Sequence, residues 1–437
     1  AVSMNTRVRL FSAALMGGLL LASWPMFSEA AEARGQVVRD LPATDRAIEP
    51  AVEDVFEVGS IAGAAWETFG EEVRVAFDRE GNLFLFDTDN ARIVVVDRQG
   101  RLVREFGQAG GGPGEFRMPM GFTVTPGGEV VVSDVGQQAL LIFSTEGEFL
   151  RSVPLDLEKG VPGAGFVADP SGGAILSPPG GIRISMRGPG GDTDSGSSLL
   201  IQRYGLLEEG EPETLYAAWE PPPPSEGEGG TIEMDGGRSI QLSNMAKLRG
   251  FEPEVLFGVT PDGSLVVSDS VAYRVKLLSP DGTPRILLQR PIEPREVTAS
   301  VREAERQRRL DELDEGEGPR VRMITSGGGG SGMSSSGSGG MTEMLRGRIE
   351  DMEFMDEIPV LTDLGVDHTG RIWAQRSGSE VGEDGPIDVL SPTGEYLGTV
   401  EAGSMDIPSA FGPHGLVAEV RRDELDVVTV VVRRILF

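Results

Sequence analysis

The chain has 437 residues, of which 39% are hydrophobic and 25% are charged, and its formal net charge at pH 7 is −30. These proportions are typical of a soluble globular protein, and the negative field disfavours nucleic-acid backbones and anionic lipid surfaces while favouring cations and basic partners. No cysteine is present, which excludes disulfides, thiolate metal sites and a cysteine nucleophile.

Residues 1–30 are predicted to be a secretory signal peptide. The basic residues Arg7 and Arg9 precede an apolar run at 10–22, and small residues suit cleavage after residue 30 or 33. The apolar run is too short to span a bilayer comfortably. We therefore expect export to the periplasm or the medium, with no integral membrane segment after cleavage. Residues 31–50 are expected to form an N-terminal linker.

Two kinds of turn recur along the rest of the chain. The first kind reads DREGN, TPGGE, DPSGG, TPDGS and DHTGR, and begins at residues 78, 125, 169, 260 and 367. Each places glycine where a hairpin turn requires positive φ. In four units a second turn glycine follows after 19 residues, or 24 in the last unit: Gly81 and Gly100, Gly128 and Gly147, Gly263 and Gly282, Gly370 and Gly394. Each unit is thus predicted to contain four strands.

Four-stranded antiparallel units repeated in this way are typical of a β-propeller. Their strands are apolar at successive positions, which fits blades covered on both sides. Five units are predicted near 71–106, 116–153, 163–219, 252–290 and 358–400. A sixth combines strands at 415–420 and 427–435 with an N-terminal strand at 54–60. We therefore predict an all-β, six-bladed propeller over 51–437, closed by pairing the N-terminal strand with the C-terminal blade. A hairpin at 231–243 keeps seven blades as the alternative.

The stretch GGGPGEFRMPMGFTVTPGGEVVVSDVGQQALLIFSTEGEFL at 110–150 resembles an NHL repeat, whose pattern runs Gly-x-Phe, Pro, turn, Val-x-Asp, Ile-x-Phe and a closing Gly-x-Phe. The unit at 71–107 is similar. The chain resembles exported bacterial six-bladed propellers of the NHL/Tol-type superfamily. This resemblance implies the fold, whereas activity does not transfer with it because the family's activities are diverse.

Residues 291–357 interrupt the repeats and are predicted to form an insertion that is partly helical and partly disordered. Ser300 and Glu303 have capping-box spacing at the start of a charged helix. A Gly/Ser linker at 326–340 has too few apolar groups to fold, and a second helix follows at 341–355. The second helix could pack on the propeller or serve as a partner-binding arm.

The residues give no catalytic set and predict no cofactor. The glycine-rich loop at 110–121 lacks the lysine and the following helix of a phosphate loop, so it is interpreted as the connection between the first two blades. His368 and His414 are the two histidines, and both are expected in turns. Acidic stretches at 87–90 and 191–196 suggest calcium, but neither completes a binding loop.

Three aspartates, Asp87, Asp134 and Asp269, end the second strand of their units and are expected to cap turns.

Propellers commonly bind ligands at one mouth of the central channel, on loops leading into the innermost strands. The residues predicted there are Met120, Phe257, Asp363 and His414. The favoured interpretation is a non-catalytic exported scaffold that binds a protein, peptide or glycan on a propeller face. The alternative is a calcium-dependent lactonase or lyase with its site in the channel. Nucleic acid is excluded as a partner by the acidity.

Overall fold

Short strands joined by tight turns make up most of the chain. The computed structural model describes residues 36–156, 161–178, 199–207, 210–219, 230–234, 238–242, 247–314, 338–423 and 427–437. The chain separates into two compact units, Ala1–Gln36 and Val37–Phe437. Every described strand and helix belongs to the second unit. The predicted signal peptide and the acidic stretch at 191–196 lie outside the described residues.

The first half of the chain contributes two N-terminal strands and three four-stranded sheets. Its strands are β1 Val37–Asp40, β2 Ala51–Val58, β3 Val73–Phe77, β4 Leu83–Asp87, β5 Arg92–Val96, β6 Leu102–Phe106, β7 Pro119–Val124, β8 Glu129–Asp134, β9 Ala139–Ser144, β10 Phe149–Pro154, β11 Val167–Ala168, β12 Ala174–Ser177, β13 Leu200–Gly205 and β14 Glu213–Ala217.

The second half contributes three more blades, two helices and several short pairs. Its elements are β15 Gly230–Met234, β16 Arg238–Leu242, β17 Arg249–Gly250, β18 Leu256–Val259, β19 Leu265–Ser268, β20 Arg274–Leu278, β21 Pro284–Gln289, β22 Arg295–Glu296, α1 Ala299–Asp314, α2 Ser338–Glu350, β23 Glu353–Phe354, β24 Glu357–Ile358, β25 Leu361–Val366, β26 Ile372–Ser377, β27 Asp384–Leu390, β28 Tyr396–Val400, β29 Ala410–Phe411, β30 Leu416–Arg422 and β31 Val428–Leu436.

Six sheets form the blades of a propeller, which confirms the predicted fold. Blades 1 to 5 begin with β3, β7, β11, β18 and β25, and blade 6 contains β29, β30, β31 and β2. First strands of neighbouring blades pack against one another, as β3 does on β7 and β18 does on β25, so the first strand of each blade lies innermost. The hairpin β15–β16 forms a separate two-stranded sheet and adds no seventh blade.

Each blade is held by contacts on both of its faces. In β4, Leu83 and Leu85 pack in a cluster with blade 6, whereas Phe84 and Phe86 pack in a cluster with blade 2. Successive side chains of a strand point to opposite faces, and here both faces are covered. This arrangement explains why the blade strands are apolar at consecutive positions rather than at alternate ones.

The glycine-rich loop at 110–121 joins blades 1 and 2 without any helix. The Gly110 amide donates to the Phe116 carbonyl at 2.9 Å, and Gly114 has a φ of +82°, where a side chain would be strained. The Phe116 ring is 1% exposed and lies 5.5 Å from Phe86 and 5.6 Å from Phe143. The loop thus turns the chain back toward the axis and inserts an aromatic anchor between two blades.

The N-terminal segment contacts the ring in two places, and the first of them closes it. Strand β2 pairs antiparallel with β31 and completes blade 6. Residues 37–48, the N-terminal strap, run outside blades 4 and 5: β1 pairs parallel with β21, and Ala47 bridges to Thr399. The region expected to be a linker therefore contains a strand and several inter-blade contacts.

A buried ion pair lies beneath this strap. Arg290 of blade 4 donates to both carboxylate oxygens of Asp388 of blade 5 at 2.8 and 2.7 Å, and neither side chain is exposed to solvent. Arg290 also donates to the Pro42 carbonyl at 2.7 Å and to Asp45 at 2.6 Å, both in the strap. Burial, followed by the charge of Asp388, raises the pKa of Tyr273 well above its usual value, so this phenol stays neutral.

Asp388→Asn is expected to destabilise the fold by about 3–5 kcal/mol, because it leaves the Arg290 guanidinium buried without its counter-charge. Replacing both partners, as Arg290→Met with Asp388→Leu, should recover much of that loss. The control is Asp45→Asn at the 48% exposed end of the network, which should cost less than about 1 kcal/mol. Urea unfolding measures all three; equal losses for Asp388→Asn and Asp45→Asn would contradict the assignment.

Candidate functional site at the channel mouth

The two faces of the ring differ in what they carry. Each innermost strand begins on one face, which we call the mouth face, and the turn into the second strand lies on the opposite face. Because the strands of a blade are antiparallel, the connections between blades also lie on the mouth face. The longest of these connections run from β14 to β18 and from β21 to β25, and the second contains both helices. The mouth face is therefore where chain additional to the repeats is concentrated.

Three of the four residues predicted for the mouth lie near the start of an innermost strand. Met120 is the second residue of β7, Phe257 the second of β18 and Asp363 the third of β25. Met120 and Phe257 are half-buried, and Phe257 packs against the core between blades 3 and 4. Part of the Asp363 side chain reaches solvent, although the residue belongs to an innermost strand and protein surrounds its carboxyl group closely enough to raise its pKa. Of these three, Asp363 alone offers a charged group to the channel.

His414 lies on the opposite face from these residues. It occupies the turn between β29 and β30 with a left-handed φ of +58°, and its side chain is exposed. His368 likewise lies in the turn between β25 and β26. The structure therefore does not bring either histidine together with Asp363.

The aspartates that end the second strands act as internal anchors. Asp87 accepts hydrogen bonds from the Gly70 amide at 3.2 Å, from the Asn90 side chain at 2.8 Å and from Arg92 at 3.1 Å. Asp134 accepts the Arg117 amide at 2.7 Å in the same way. The donors to Asp87 occupy the carboxylate oxygens that this residue of the acidic stretch at 87–90 would otherwise offer to calcium. In the described part of the chain, no group of three or more His, Cys, Asp or Glu residues is placed to hold a metal ion.

A cavity of about 300 Å³ opens on the mouth face between α1 and blades 4 and 5. We call it the α1 cavity. Its floor contains Leu256 and Leu361, which start the innermost strands of these blades, together with Ile358. Its walls come from α1 and from the connection between β26 and β27. The lining residues are Phe251, Glu252, Glu254, Leu256, Arg295, Glu305, Arg308, Arg309, Ile358, Pro359, Leu361, Thr362, Ser377, Glu380, Val381, Gly382, Glu383 and Asp384.

Helix α1 packs against the rest of the insertion and against the connection between β26 and β27, where Arg308 lies beside Gly382. It begins at Ala299, and the Thr298 hydroxyl accepts the Val301 amide at 3.4 Å; the predicted cap at Ser300 lies one residue inside the helix. The Arg306 guanidinium lies 5.2 Å from the Phe354 ring centre. The described part of the insertion thus packs on the propeller and forms one wall of the cavity.

Within α1, Glu305 pairs with two arginines that line the cavity. Its carboxylate accepts hydrogen bonds from Arg308 at 2.8 and 2.9 Å and from Arg309 at 2.6 Å. Burial opposes ionisation, but these two guanidinium groups prevail and lower the pKa of Glu305. The third arginine, Arg295, donates to the Ser379 carbonyl. Three arginines thus stand against six carboxylates among the lining residues, which leaves a net negative charge.

Five further carboxylates surround the α1 cavity, and we call them the carboxylate rim. In the described chain no arginine or lysine lies within 4 Å of any of them. They come from two directions, the segment before β18 and the connection from β26 to β27. The rim consists of Glu252, Glu254, Glu380, Glu383 and Asp384.

Two carboxyl groups near the mouth have raised pKa values, mainly through burial and to a smaller extent through a neighbouring acid. Burial, followed by the charge of Asp384, raises the pKa of Asp363. Burial, followed by the charge of Asp406, raises the pKa of Asp384. The Leu364 amide donates to Asp363 at 2.7 Å and offsets part of the effect. These acids repel one another, so a cation placed among them would be stabilised.

The sequence alone did not reveal the α1 cavity or its rim. Glu252 and Asp384 are separated by more than a hundred positions and belong to ordinary polar connections. The one local signal was the interruption of the repeats near 291, which marked an insertion without indicating what it covers.

A model of the DUF5128 family, described as a six-bladed β-propeller, matches residues 70–167. This stretch covers blades 1 and 2 and reaches the start of blade 3. No curated protein sequence matches the chain. The family match and the six observed blades define the class of protein as a six-bladed β-propeller.

Several solved propellers are similar in fold. One is a protein of Bacteroides fragilis whose name describes it as exported, at 11% identity over 91% of this chain and 99% of that chain, with a TM-score of 0.46. A gluconolactonase from Xanthomonas campestris has 12% identity over 90% and 91% of the two chains and a TM-score of 0.33. Virginiamycin B lyase from Staphylococcus aureus has 10% identity over 88% and 99%, with a TM-score of 0.37. Likenesses this distant carry no argument about activity.

Asp363→Asn is expected to increase the free energy of unfolding near pH 7 and to have little effect near pH 3. A raised pKa means that the folded state holds a proton which the unfolded state has released, so stability falls as pH rises between the ordinary and the raised values. Asparagine removes that cost and keeps an oxygen for the Leu364 amide.

The matched control is Asp281→Asn, whose parent carboxyl has its pKa lowered by hydrogen bonds from Ser279 and Thr283. Ionisation of Asp281 stabilises the fold above its ordinary pKa, so this variant should lose stability near pH 7. Thermal unfolding across this pH range measures both variants. The same sign for the two variants at pH 7 would contradict the analysis.

Proposed function

We propose that the chain is an exported, NHL-like propeller that acts as a scaffold and binds a peptide or a protein segment on its mouth face. The observation that carries this proposal is the α1 cavity, which lies where the longest inter-blade connections meet and is bordered by five carboxylates that pair with no arginine or lysine of the described residues. Its volume of about 300 Å³ suits a side chain or a short extended segment, at the lower end of ligand pockets.

Charge distinguishes a peptide from a glycan at this place. A neutral sugar can donate hydrogen bonds to carboxylates but cannot lower their mutual repulsion. A peptide can supply both backbone donors and a positive charge, and complementary charge also accelerates encounter with an acidic surface. The net charge of −30 agrees with a basic partner on the scale of the whole molecule.

The export part of the proposal depends on the sequence pattern at 1–30, which the structure does not describe. None of the described helices is both long enough and apolar enough to cross a membrane. Fusion of residues 1–50 to alkaline phosphatase lacking its own signal tests this point. We expect phosphatase activity outside the cytoplasm, and loss of that activity when Leu19, Leu20 and Leu21 are replaced by arginine. If the parent fusion shows no phosphatase activity outside the cytoplasm, the export part of the proposal is contradicted.

Peptide binding is tested by filling the cavity. Thr362→Trp places a large side chain on an exposed position of the lining, whereas Thr283→Trp makes the same change on the opposite face. The purified protein is used to select from a displayed library of random peptides, in parallel with a glycan array. We expect peptides to be enriched by the parent and by Thr283→Trp, and their binding to fall at least about tenfold with Thr362→Trp, a loss of about 1.4 kcal/mol.

Enrichment that is indifferent to Thr362→Trp would contradict a site at the mouth. Binding of glycans alone would replace the peptide with a sugar ligand. Calcium-dependent hydrolysis of a lactone by the parent would favour the enzyme alternative instead.

A further inference from the structure

We infer that the α1 cavity recognises an arginine or lysine side chain of the bound peptide. This inference rests on the proposed function, since it names the chemistry of the partner at the same site. It follows from three properties of the cavity: an apolar floor, a rim with uncompensated negative charge, and arginines that are already bound to other groups.

The floor suits the aliphatic part of a long basic side chain. Leu256, Ile358 and Leu361 are all buried, and they line the bottom of the cavity beside the half-buried Phe251. Lysine and arginine carry three or four methylene groups that pack on apolar surface while the charged end remains near water or an acid. A short acidic or polar side chain would leave this floor uncovered.

The rim supplies the counter-charge from two sides. Glu252 and Glu254 precede the innermost strand of blade 4, whereas Glu383 ends the connection between β26 and β27 of blade 5 and Asp384 begins β27. A cation between these segments would meet carboxylates from two blades. All four residues are exposed, so the attraction is expected to be strongest at low salt and to weaken as salt screens it.

The arginines of the cavity do not satisfy this rim. Arg308 and Arg309 bind Glu305, and Arg308 also binds Glu312, so the ion pairs of these two arginines lie within the helix. Arg295 donates to a backbone carbonyl in the same connection that carries Glu383 and keeps its positive charge. Because six carboxylates and three arginines line the cavity, the described lining residues retain a net negative charge that a cation from outside can balance.

Phe251 adds an aromatic surface that is held in an unusual conformation. Its φ of +59° lies in the left-handed region, which is strained for a bulky residue and persists where the surrounding structure enforces it. Its ring centre lies 6.1 Å from that of Phe354, which in turn contacts Arg306 of α1. An aromatic ring in the lining can attract a guanidinium or ammonium group through its face.

Two short peptides test the inference on the full processed chain. The first is acetyl-Ala-Ala-Arg-Ala-Ala-amide, and the second carries citrulline in place of arginine, which keeps the shape and removes the charge. Calorimetry at low salt should show the arginine peptide binding at least about tenfold more tightly than the citrulline peptide. Its affinity should fall as salt is raised, because the interaction is between charges.

The double variant Glu254→Gln with Asp384→Asn should abolish that difference between the two peptides. Its matched control is Glu146→Gln with Glu395→Gln, which removes the same net charge from exposed turns on the opposite face and should keep the difference. The inference that the cavity recognises a basic side chain, which we call the basic anchor, is overturned by either of two results. The first is equal binding of the two peptides to the parent, and the second is an equal loss of their affinity difference in both double variants. Stoichiometric binding of calcium chloride that the rim variant removes would also overturn it, since the rim would then be a metal site.

These outcomes are separable from those of the proposed function. If library peptides bind in a way that depends on Thr362 but arginine and citrulline behave alike, the scaffold stands and the basic anchor fails. If no library peptide depends on Thr362, the scaffold itself fails.

Discussion

The structure depends on burying both faces of every blade at once. A four-stranded sheet of this kind has no polar side, so each blade requires a neighbour in front and another behind, and only a closed ring provides both. Phe84 and Leu83 show this within two consecutive residues, since one packs toward blade 2 and the other toward blade 6. The requirement also explains why β2 returns to the last blade, because an open ring would leave two apolar faces and two strand edges exposed.

Blade 5 differs from blades 1, 2 and 4 in how the end of its second strand is anchored. In blades 1, 2 and 4 the second strand is followed or ended by an aspartate, Asp87, Asp134 or Asp269, which accepts hydrogen bonds from neighbouring segments. Blade 5 carries Arg376 at the matching offset from its turn, and the carboxylate comes from Asp45 of the N-terminal strap at 2.8 Å. The strap thus supplies from outside a charge that the repeat supplies internally elsewhere. The strap also covers the buried Arg290–Asp388 pair, and losing one partner of such a pair would destabilise the fold because the other charge would stay buried and unpaired.

The mouth face combines this rigid ring with chain that the repeat does not need. The first strands of blades 4 and 5 give the α1 cavity a fixed apolar floor, and α1 adds a wall in which Glu305 pairs with Arg308 and Arg309. The remaining acids of the lining are concentrated at one opening, where burial and, to a smaller extent, neighbouring acids raise the pKa values of Asp363 and Asp384. Among the described lining residues, a positively charged ligand is therefore what this site would complement.

The amino-acid sequence predicted the strands, the turns and the two-sided apolar pattern, because each follows from local chemistry: glycine at positive φ in turns such as Gly81 and consecutive apolar residues in strands such as β4. It predicted six blades but left seven open, and the separate β15–β16 sheet decided between them. It could not place His414 on the far face, since that depends on which end of β29 bears the turn, nor the strap on blades 4 and 5. The cavity could be found only in the folded chain. Glu252 and Asp384 line the same opening because the ring closes and α1 packs against it, and neither event produces a repeating pattern in the sequence.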